Sequence, residues 1–282
     1  MLACEADPGF FIMRKIIPFL FLVVFAFNAG TSGRCEVNNI AFKPGEEVEY
    51  NVYYNWGPIW LNAGLVTFNV YERTYRNREV YHFESYGQTH RKYDWIFKVR
   101  DRFQSFVDKE SFRPLWYEMD TYEGGFIAKD SYIYIPGENL VVATTENSDR
   151  SRQTDTIKIQ PCSYDVITAV YVARNLDFSS YSINESIPFS ILIGNKLYDL
   201  NPRYLGRETI ETRERESYDC IKLSVELVEG FIFTPGNEMF VWVTNDDNRV
   251  PVMVEAQIRV GSVKAVLKSA RGLRNPESAK ID

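Results

Sequence analysis

The sequence is poor in the residues from which metal centres and nucleophilic sites are built. Only two histidines occur in 282 residues, and His82 and His90 would lie about 26 Å apart on an extended strand that rises about 3.3 Å per residue. Cys162 and Cys220 lack the short spacing of zinc ligands. No G-x-S-x-G motif or other local nucleophile signature accompanies either histidine. We therefore predict no metal site, no cofactor and no catalytic residue, which favours a protein that is not an enzyme.

Basic character is also missing. The chain carries 32 Lys and Arg against 38 Asp and Glu, for a net charge of −6 and a pI of about 5.2. Without a long basic run, the sequence lacks the electrostatic footprint of a nucleic-acid binder. Nucleic acid is therefore not an expected partner.

The apolar run near the amino terminus is too short to span a bilayer comfortably. It covers residues 16–27, whereas a transmembrane helix needs about 20 apolar residues. Because Met13, Arg14 and Lys15 precede it, the run has the charged n-region and the h-region of a secretory signal. We interpret residues 13–33 as a signal peptide and expect export to the periplasm or outer envelope, without an integral membrane segment.

The residues around this signal refine the interpretation. Residues 1–12 contain two acids that do not suit an n-region, so we interpret them as a mis-annotated upstream extension. Small residues between Ala29 and Arg34 offer several cleavage sites. Cys35 stands where lipoproteins are acylated, but Arg34 occupies a position that such a site requires to be small. Lipid anchoring at Cys35 is therefore not expected.

Export bears on the other cysteines, because an oxidising compartment permits disulfides. Cys162 and Cys220 form the candidate disulfide pair, and two buried free thiols are the alternative. Cys35 would be left over.

Aromatic residues are abundant, at 15% of the chain, and such side chains favour pleated, half-buried surfaces. Segments with alternating polarity are separated by short turn signals, among them Gly124-Gly125, Pro136-Gly137 and Gly194-Asn195. The sequence therefore predicts a mainly β fold, a meander of antiparallel strands in one domain over residues 38–270. Residues 271–282 lack periodicity and are predicted to be a disordered tail.

One segment, residues 163–177, predicts a helix. Ser163 is a candidate amino-terminal cap, and an apolar stripe that begins with Val166 and Ala169 and continues through Val170 and Ala173 is expected to pack on the sheet. Arg174, late in this helix, either reaches an acid such as Asp101 across the sheet or favours the carboxyl end of the helix. The second interpretation is preferred.

Three segments in order resemble one known family. KPGEEVEYNVYYNWGPIWLNAG resembles the opening of the exported bacterial family called domain of unknown function 3108. YDVITAVYVAR resembles the central helix of that family, and FVWVTNDDNRVPVMVEAQIRVGSVKAVL resembles its ending. The resemblance implies export and a curved, half-barrel or open-barrel β sheet packed around the helix. It implies no known reaction and transfers no catalytic residue.

Three functions are open. The preferred hypothesis is a binding or carrier module with an apolar groove between helix and sheet for a lipid or other hydrophobic ligand, in a fold similar to periplasmic lipoprotein carriers. The candidate groove aromatics are Trp56, Trp60, Trp95 and Trp116.

The second hypothesis is a glycan-binding or glycan-active envelope protein that uses exposed tryptophans with a carboxylate pair. Its candidate acids are Asp94, Asp101, Asp120 and Glu123, although acids on the solvent face of strands are the commoner arrangement. The third hypothesis is a structural scaffold that holds an envelope protein through a sheet edge.

Overall fold

The computed structural model describes residues 37–56, 59–226, 238–257 and 261–281. The predicted signal peptide, residues 1–12 and Cys35 lie outside these ranges. The described residues all belong to one compact unit.

The described chain contains seventeen strands, one α-helix and two short 3₁₀ helices. In chain order they are β1 (Glu47–Trp56), β2 (Ile59–Tyr75), β3 (Arg78–Thr89), a 3₁₀ helix (Arg91–Tyr93), β4 (Val99–Asp108), β5 (Pro114–Glu123), β6 (Phe126–Ile135), β7 (Leu140–Asn147), β8 (Arg150–Lys158), β9 (Ser163–Tyr164), α1 (Val166–Ala173), a 3₁₀ helix (Phe178–Ser180), β10 (Phe189–Ile193), β11 (Lys196–Leu200), β12 (Arg203–Glu211), β13 (Ser217–Glu226), β14 (Glu238–Thr244), β15 (Pro251–Gln257), β16 (Ser262–Arg271) and β17 (Lys280–Ile281).

Fourteen of these strands form one curved, open antiparallel sheet. Their order is β12-β13-β14-β15-β16-β1-β2-β3-β4-β5-β6-β7-β8, with β17 paired to β13. Because β16 pairs with β1, the two halves of the chain join at β1, and pairing among the described strands ends at β12 and β8. The remaining strands form a small sheet in which β10 pairs with β9 and β11. The prediction of a mainly β fold with a curved antiparallel sheet and one helix is confirmed.

The strands of the β1–β8 meander bury one face. In β5, Tyr117 and Met119 are buried on the inner face, whereas Asp120 is exposed on the other, as the period of two requires. The inner face and α1 share one core, in which the Tyr171 ring stacks on Phe83 with 3.8 Å between ring centroids. Helix and sheet are thus held together by aromatic packing.

The helix is shorter than predicted and uses a different cap. It covers Val166–Ala173, because Ser163 belongs to β9 and Asp165 caps the amino end by accepting a hydrogen bond from the Thr168 amide. Of the predicted stripe only Ala169 is among the buried residues of the helix. The buried residues are Ile167, Thr168, Ala169, Tyr171 and Val172. Because the helix is covered on more than one side, it buries a wide face, and a narrow apolar stripe did not predict which residues are buried.

Arg174 lies just after the helix and is buried. It pairs with an acid, as the less preferred interpretation held, but the acid is Glu46 and not Asp101. Its guanidinium forms an ion pair with the Glu46 carboxylate, with 2.9 Å between Nη2 and Oε2. It also donates to the carbonyl oxygens of Ala41 and Asn248. These three groups around one cation connect the segment before β1, the end of the helix and the β14–β15 turn.

Hydrogen bonds and strand pairing hold the described part of the carboxyl-terminal segment, residues 271–281, so the prediction of a disordered tail was wrong for these residues. The Asn248 side-chain amide donates to the carbonyl oxygens of Asn275 and Pro276, Ala279 is 3% exposed, and β17 pairs with the start of β13. Hydrogen bonds from a buried turn hold a segment that has no periodicity of its own.

We predict that Arg174→Met lowers the free energy of unfolding by at least about 3–5 kcal/mol in urea titrations, because it leaves the Glu46 carboxylate buried and unpaired. The double variant with Glu46→Leu should recover part of that loss. Arg271→Met is the control, since it removes the exposed pair with Glu47 and should change stability by less than about 1 kcal/mol. If Arg174→Met and Arg271→Met lowered the free energy of unfolding equally, the buried ion pair would not be what stabilises the fold.

Candidate functional site

A cleft of about 600 Å³ opens at one end of the large sheet. Three segments form it: the β4–β5 connection, the β6–β7 connection, and the chain between β8 and α1. This volume lies within the range of about 300–1,000 Å³ that is typical of small-molecule sites. The lining residues are Arg78, Asp108, Glu110, Ser111, Arg113, Pro114, Leu115, Tyr134, Ile135, Pro136, Gly137, Asn139, Leu140, Ile159, Ser163 and Tyr164.

One side of the cleft is apolar. Leu115 and Tyr134 come from the inner face of the sheet and are buried, and Leu140, Ile159 and Tyr164 complete the wall. Within the part of the chain that the structure describes, the buried Tyr134 hydroxyl has no hydrogen-bond partner. A ligand with an extended apolar portion matches this side.

The other side carries charge. Asp108 accepts hydrogen bonds from the Arg78 guanidinium at 3.3 Å and from the Ser111 amide at 2.8 Å. Burial raises the pKa of Tyr164 to about 12, against the opposing effect of the Arg113 charge. Among the described residues, no carboxylate forms an ion pair with Arg113, so its guanidinium is available to an anionic group of a ligand.

A buried polar cluster fixes the segment that closes the cleft. Asp165 is fully buried and accepts hydrogen bonds from Thr168 Oγ1 at 2.8 Å and Ser105 Oγ at 3.0 Å, besides the Thr168 amide. Burial raises the pKa of Asp165 to about 6, although these hydrogen bonds act in the opposite direction. Because Ser163 and Tyr164 immediately precede Asp165, its bonds to β4 position the cleft wall.

The three candidate tryptophans whose side chains the structure describes are dispersed, and none of these three lines the cleft. Trp60 on β2 is half-buried beneath the Lys264 ammonium, Trp116 on β5 packs against Phe106 on the outer face, and Trp95 in the β3–β4 connection is 82% exposed. The side chain of Trp56 lies outside the described residues. The residues that do line the cleft were missed, although they flank alternate turns of one meander, which antiparallel topology places at the same end.

The four candidate acids divide into two kinds. Asp94 pairs with Arg100, and Asp120 pairs with Lys129 on the outer face. Asp101 and Glu123 lie on adjacent strands and share the inner face. Burial, and secondarily the Glu123 carboxylate, raise the pKa of Asp101 to about 7. Trp116 and this carboxylate pair lie on opposite faces of the sheet.

The predicted disulfide between Cys162 and Cys220 was wrong. Cys220 is a free thiol, fully buried in the core of β13, and burial raises its pKa to about 12. Cys162 is exposed in the turn before β9. Cys220 lies in the large sheet, whereas Cys162 directly precedes β9 of the small sheet, and one sequence without strand order cannot reveal this separation.

These features define a β-barrel-like protein with one open, curved sheet, an inner helix and a cleft at one end. The chain belongs to the family described as Protein of unknown function (DUF3108), which it matches over residues 49–268. The predicted family is therefore confirmed.

One of two similar solved structures supports the fold. A β-barrel-like protein of domain of unknown function DUF1849 from Brucella abortus is 8% identical, with a TM-score of 0.53, and the match covers 82% of this chain and 98% of that chain. A putative lipoprotein from Parabacteroides distasonis ATCC 8503 is 11% identical, with a TM-score of 0.30, covering 83% and 100%; a score this low carries no argument. No curated protein matches the sequence. In the described ranges, no helix has the length and apolarity needed to cross a bilayer.

The buried acid beside the cleft predicts a specific pH dependence. Between about pH 4, where an unfolded Asp titrates, and about pH 6, the folded chain binds the Asp165 proton more tightly than the unfolded chain. The free energy of unfolding therefore falls as the pH rises through this window. Asp165→Asn removes this contribution, so its stability relative to the parent should improve, on the order of 2 kcal/mol, from pH 4 to pH 7.

Urea titrations at each pH measure the difference in unfolding free energy between Asp165→Asn and the parent. A difference that stayed constant with pH would contradict the raised pKa of Asp165. Asp108→Asn is the contrasting variant. Burial acts to raise the Asp108 pKa, but the hydrogen bonds of Ser111 and Arg78 lower it overall. Its stabilising contribution is therefore present above about pH 4 and is lost as the pH falls further.

Proposed function

We propose that this chain is an exported, non-enzymatic binding or carrier module of the cell envelope, and that the cleft binds a lipid or other amphiphile. The observation that carries the proposal is the two-sided lining, in which an apolar wall faces an unpaired guanidinium. An acyl chain would lie along Leu140 and Ile159, and an anionic head would face Arg113.

The secretory signal supports the location, since a signal over residues 13–33 would deliver the chain to the periplasm or outer envelope. A module of this kind needs no catalytic group. The arrangement favours this function over a glycan site that uses Trp116, because Trp116 lies on the face of the sheet opposite the Asp101 and Glu123 pair.

The first test is native mass spectrometry of protein purified from its own envelope without detergent. We expect an adduct with the mass of an amphiphile, which organic extraction would then release and identify. A bare chain that also fails to bind a fluorescent fatty acid would overturn the proposal.

Leu140→Trp should weaken binding of the fluorescent fatty acid at least about tenfold by filling the cleft, since sites of this kind bury most of the ligand surface. Ile133→Trp is the matched control, because Ile133 is 37% exposed on the outer face of β6 and its replacement should leave binding unchanged. Arg113→Glu should weaken the binding of an anionic fatty-acid probe more than the binding of the corresponding neutral alcohol. Equal weakening of both probes would place the head group elsewhere.

A further inference from the structure

The end of the sheet opposite the cleft exposes a cluster of large apolar side chains, which we call the apolar tip. Nine large apolar side chains are exposed among the described residues, and five of them belong to this cluster. They are Trp95, Ile96 and Phe97 in the β3–β4 loop (residues 90–98) and Phe126 and Ile127 at the start of β6. Trp95 is 82% exposed and Ile96 is 56% exposed. Side chains of this size, clustered at one end, indicate an interaction surface.

The loop presents these side chains through a built structure. The Asp94 carboxylate accepts hydrogen bonds from Thr89 Oγ1 at 2.7 Å and from Arg100 Nη2 at 2.6 Å. The Gly124 amide donates to the Lys98 carbonyl at 2.8 Å. The Phe97 ring packs so closely on Gly124 that an added Cβ would lie 2.3 Å from a ring carbon. The loop thus satisfies its polar groups internally and leaves its apolar groups facing water.

The β3–β4 loop of the apolar tip carries a net positive charge. The β3–β4 loop contains Arg91, Lys92 and Lys98 against the single acid Asp94, a formal charge of +3 − 1 = +2, in a chain of net charge −6. The acid is already paired with Arg100. The Lys92 ammonium lies 4.8 Å from the ring centroid of Tyr93. Exposed aromatic and aliphatic groups on a loop with an excess of lysine and arginine match the interfacial region of an anionic bilayer.

We propose that the apolar tip docks this protein on the surface of an anionic phospholipid bilayer. Trp95 and Ile96 enter the headgroup region, and Arg91, Lys92 and Lys98 contact lipid phosphates. The rest of the chain is acidic and would be repelled by such a surface, so the charge distribution selects this end. The docking site is separate from the cleft and does not depend on what the cleft binds.

The test is sedimentation of the full exported chain, purified without detergent, with vesicles of phosphatidylethanolamine and phosphatidylglycerol. We expect binding that weakens with added salt and is at least about tenfold weaker with vesicles of phosphatidylcholine alone. Bilayer-embedded brominated lipid should quench part of the tryptophan emission.

Two variants separate the apolar and charged contributions. The double variant Trp95→Ser with Ile96→Ser, and the double variant Lys92→Glu with Lys98→Glu, should each weaken vesicle binding at least about tenfold. Both change exposed residues and should leave the urea unfolding midpoint unchanged. The matched controls are Ile183→Ser, at a 67% exposed apolar residue elsewhere, and Lys196→Glu in the β10–β11 hairpin. Both controls should bind normally.

Failure here is distinguishable from failure of the cleft proposal. Leu140→Trp should bind vesicles like the parent chain even if its ligand affinity falls. Absence of vesicle binding by the parent, equal binding to neutral and anionic vesicles, or equal behaviour of the tip variants and their controls would each overturn the proposal. Crosslinking of Trp95 to an envelope protein without vesicle binding would overturn it in favour of a protein partner.

Discussion

The buried ion pair between Arg174 and Glu46 is the constraint on which the arrangement of the layers depends. A guanidinium removed from water must be matched in charge and in hydrogen bonds. Here the partners of the Arg174 guanidinium come from two other parts of the chain, the segment before β1 and the β14–β15 turn. The Asn248 carbonyl is one partner, and the Asn248 side chain in turn holds the terminal segment at Asn275. The helix end, the entry to β1 and the carboxyl-terminal segment therefore share one network.

Local patterns in the sequence predicted the strands well, because alternating polarity and turn residues act over a few positions. The Gly124-Gly125 and Gly194-Asn195 turns lie between paired strands. Long-range arrangements were less accessible. The contact of Asp165 with Ser105, the pairing of Arg174 with Glu46 and the pairing of β17 with β13 all join residues more than 50 positions apart.

The candidate site shows the same difference between what local sequence patterns reveal and what depends on long-range contacts. Tryptophans and acids attract attention by residue type, yet the structure places them on different faces and at different ends of the sheet. The cleft is instead defined by three connections whose residues are individually ordinary. Only the strand order, with successive turns at alternate ends, brings Leu115, Tyr134 and Ile159 together. The high aromatic content of the sequence reflects the hydrophobic core, where Phe42, Phe83 and Tyr171 pack with one another.

The pairing of β1 with β16 has a consequence for biosynthesis. Tyr54 pairs with Val263, so one edge of β1 lacks its neighbour until about 200 further residues have been made. At about 5–20 residues per second this interval lasts roughly 10–40 s. During that time β1 presents an unpaired strand edge that other chains could join. The nascent chain therefore needs protection, by a holdase or by passage through a translocon, until its last long strand emerges and completes the sheet.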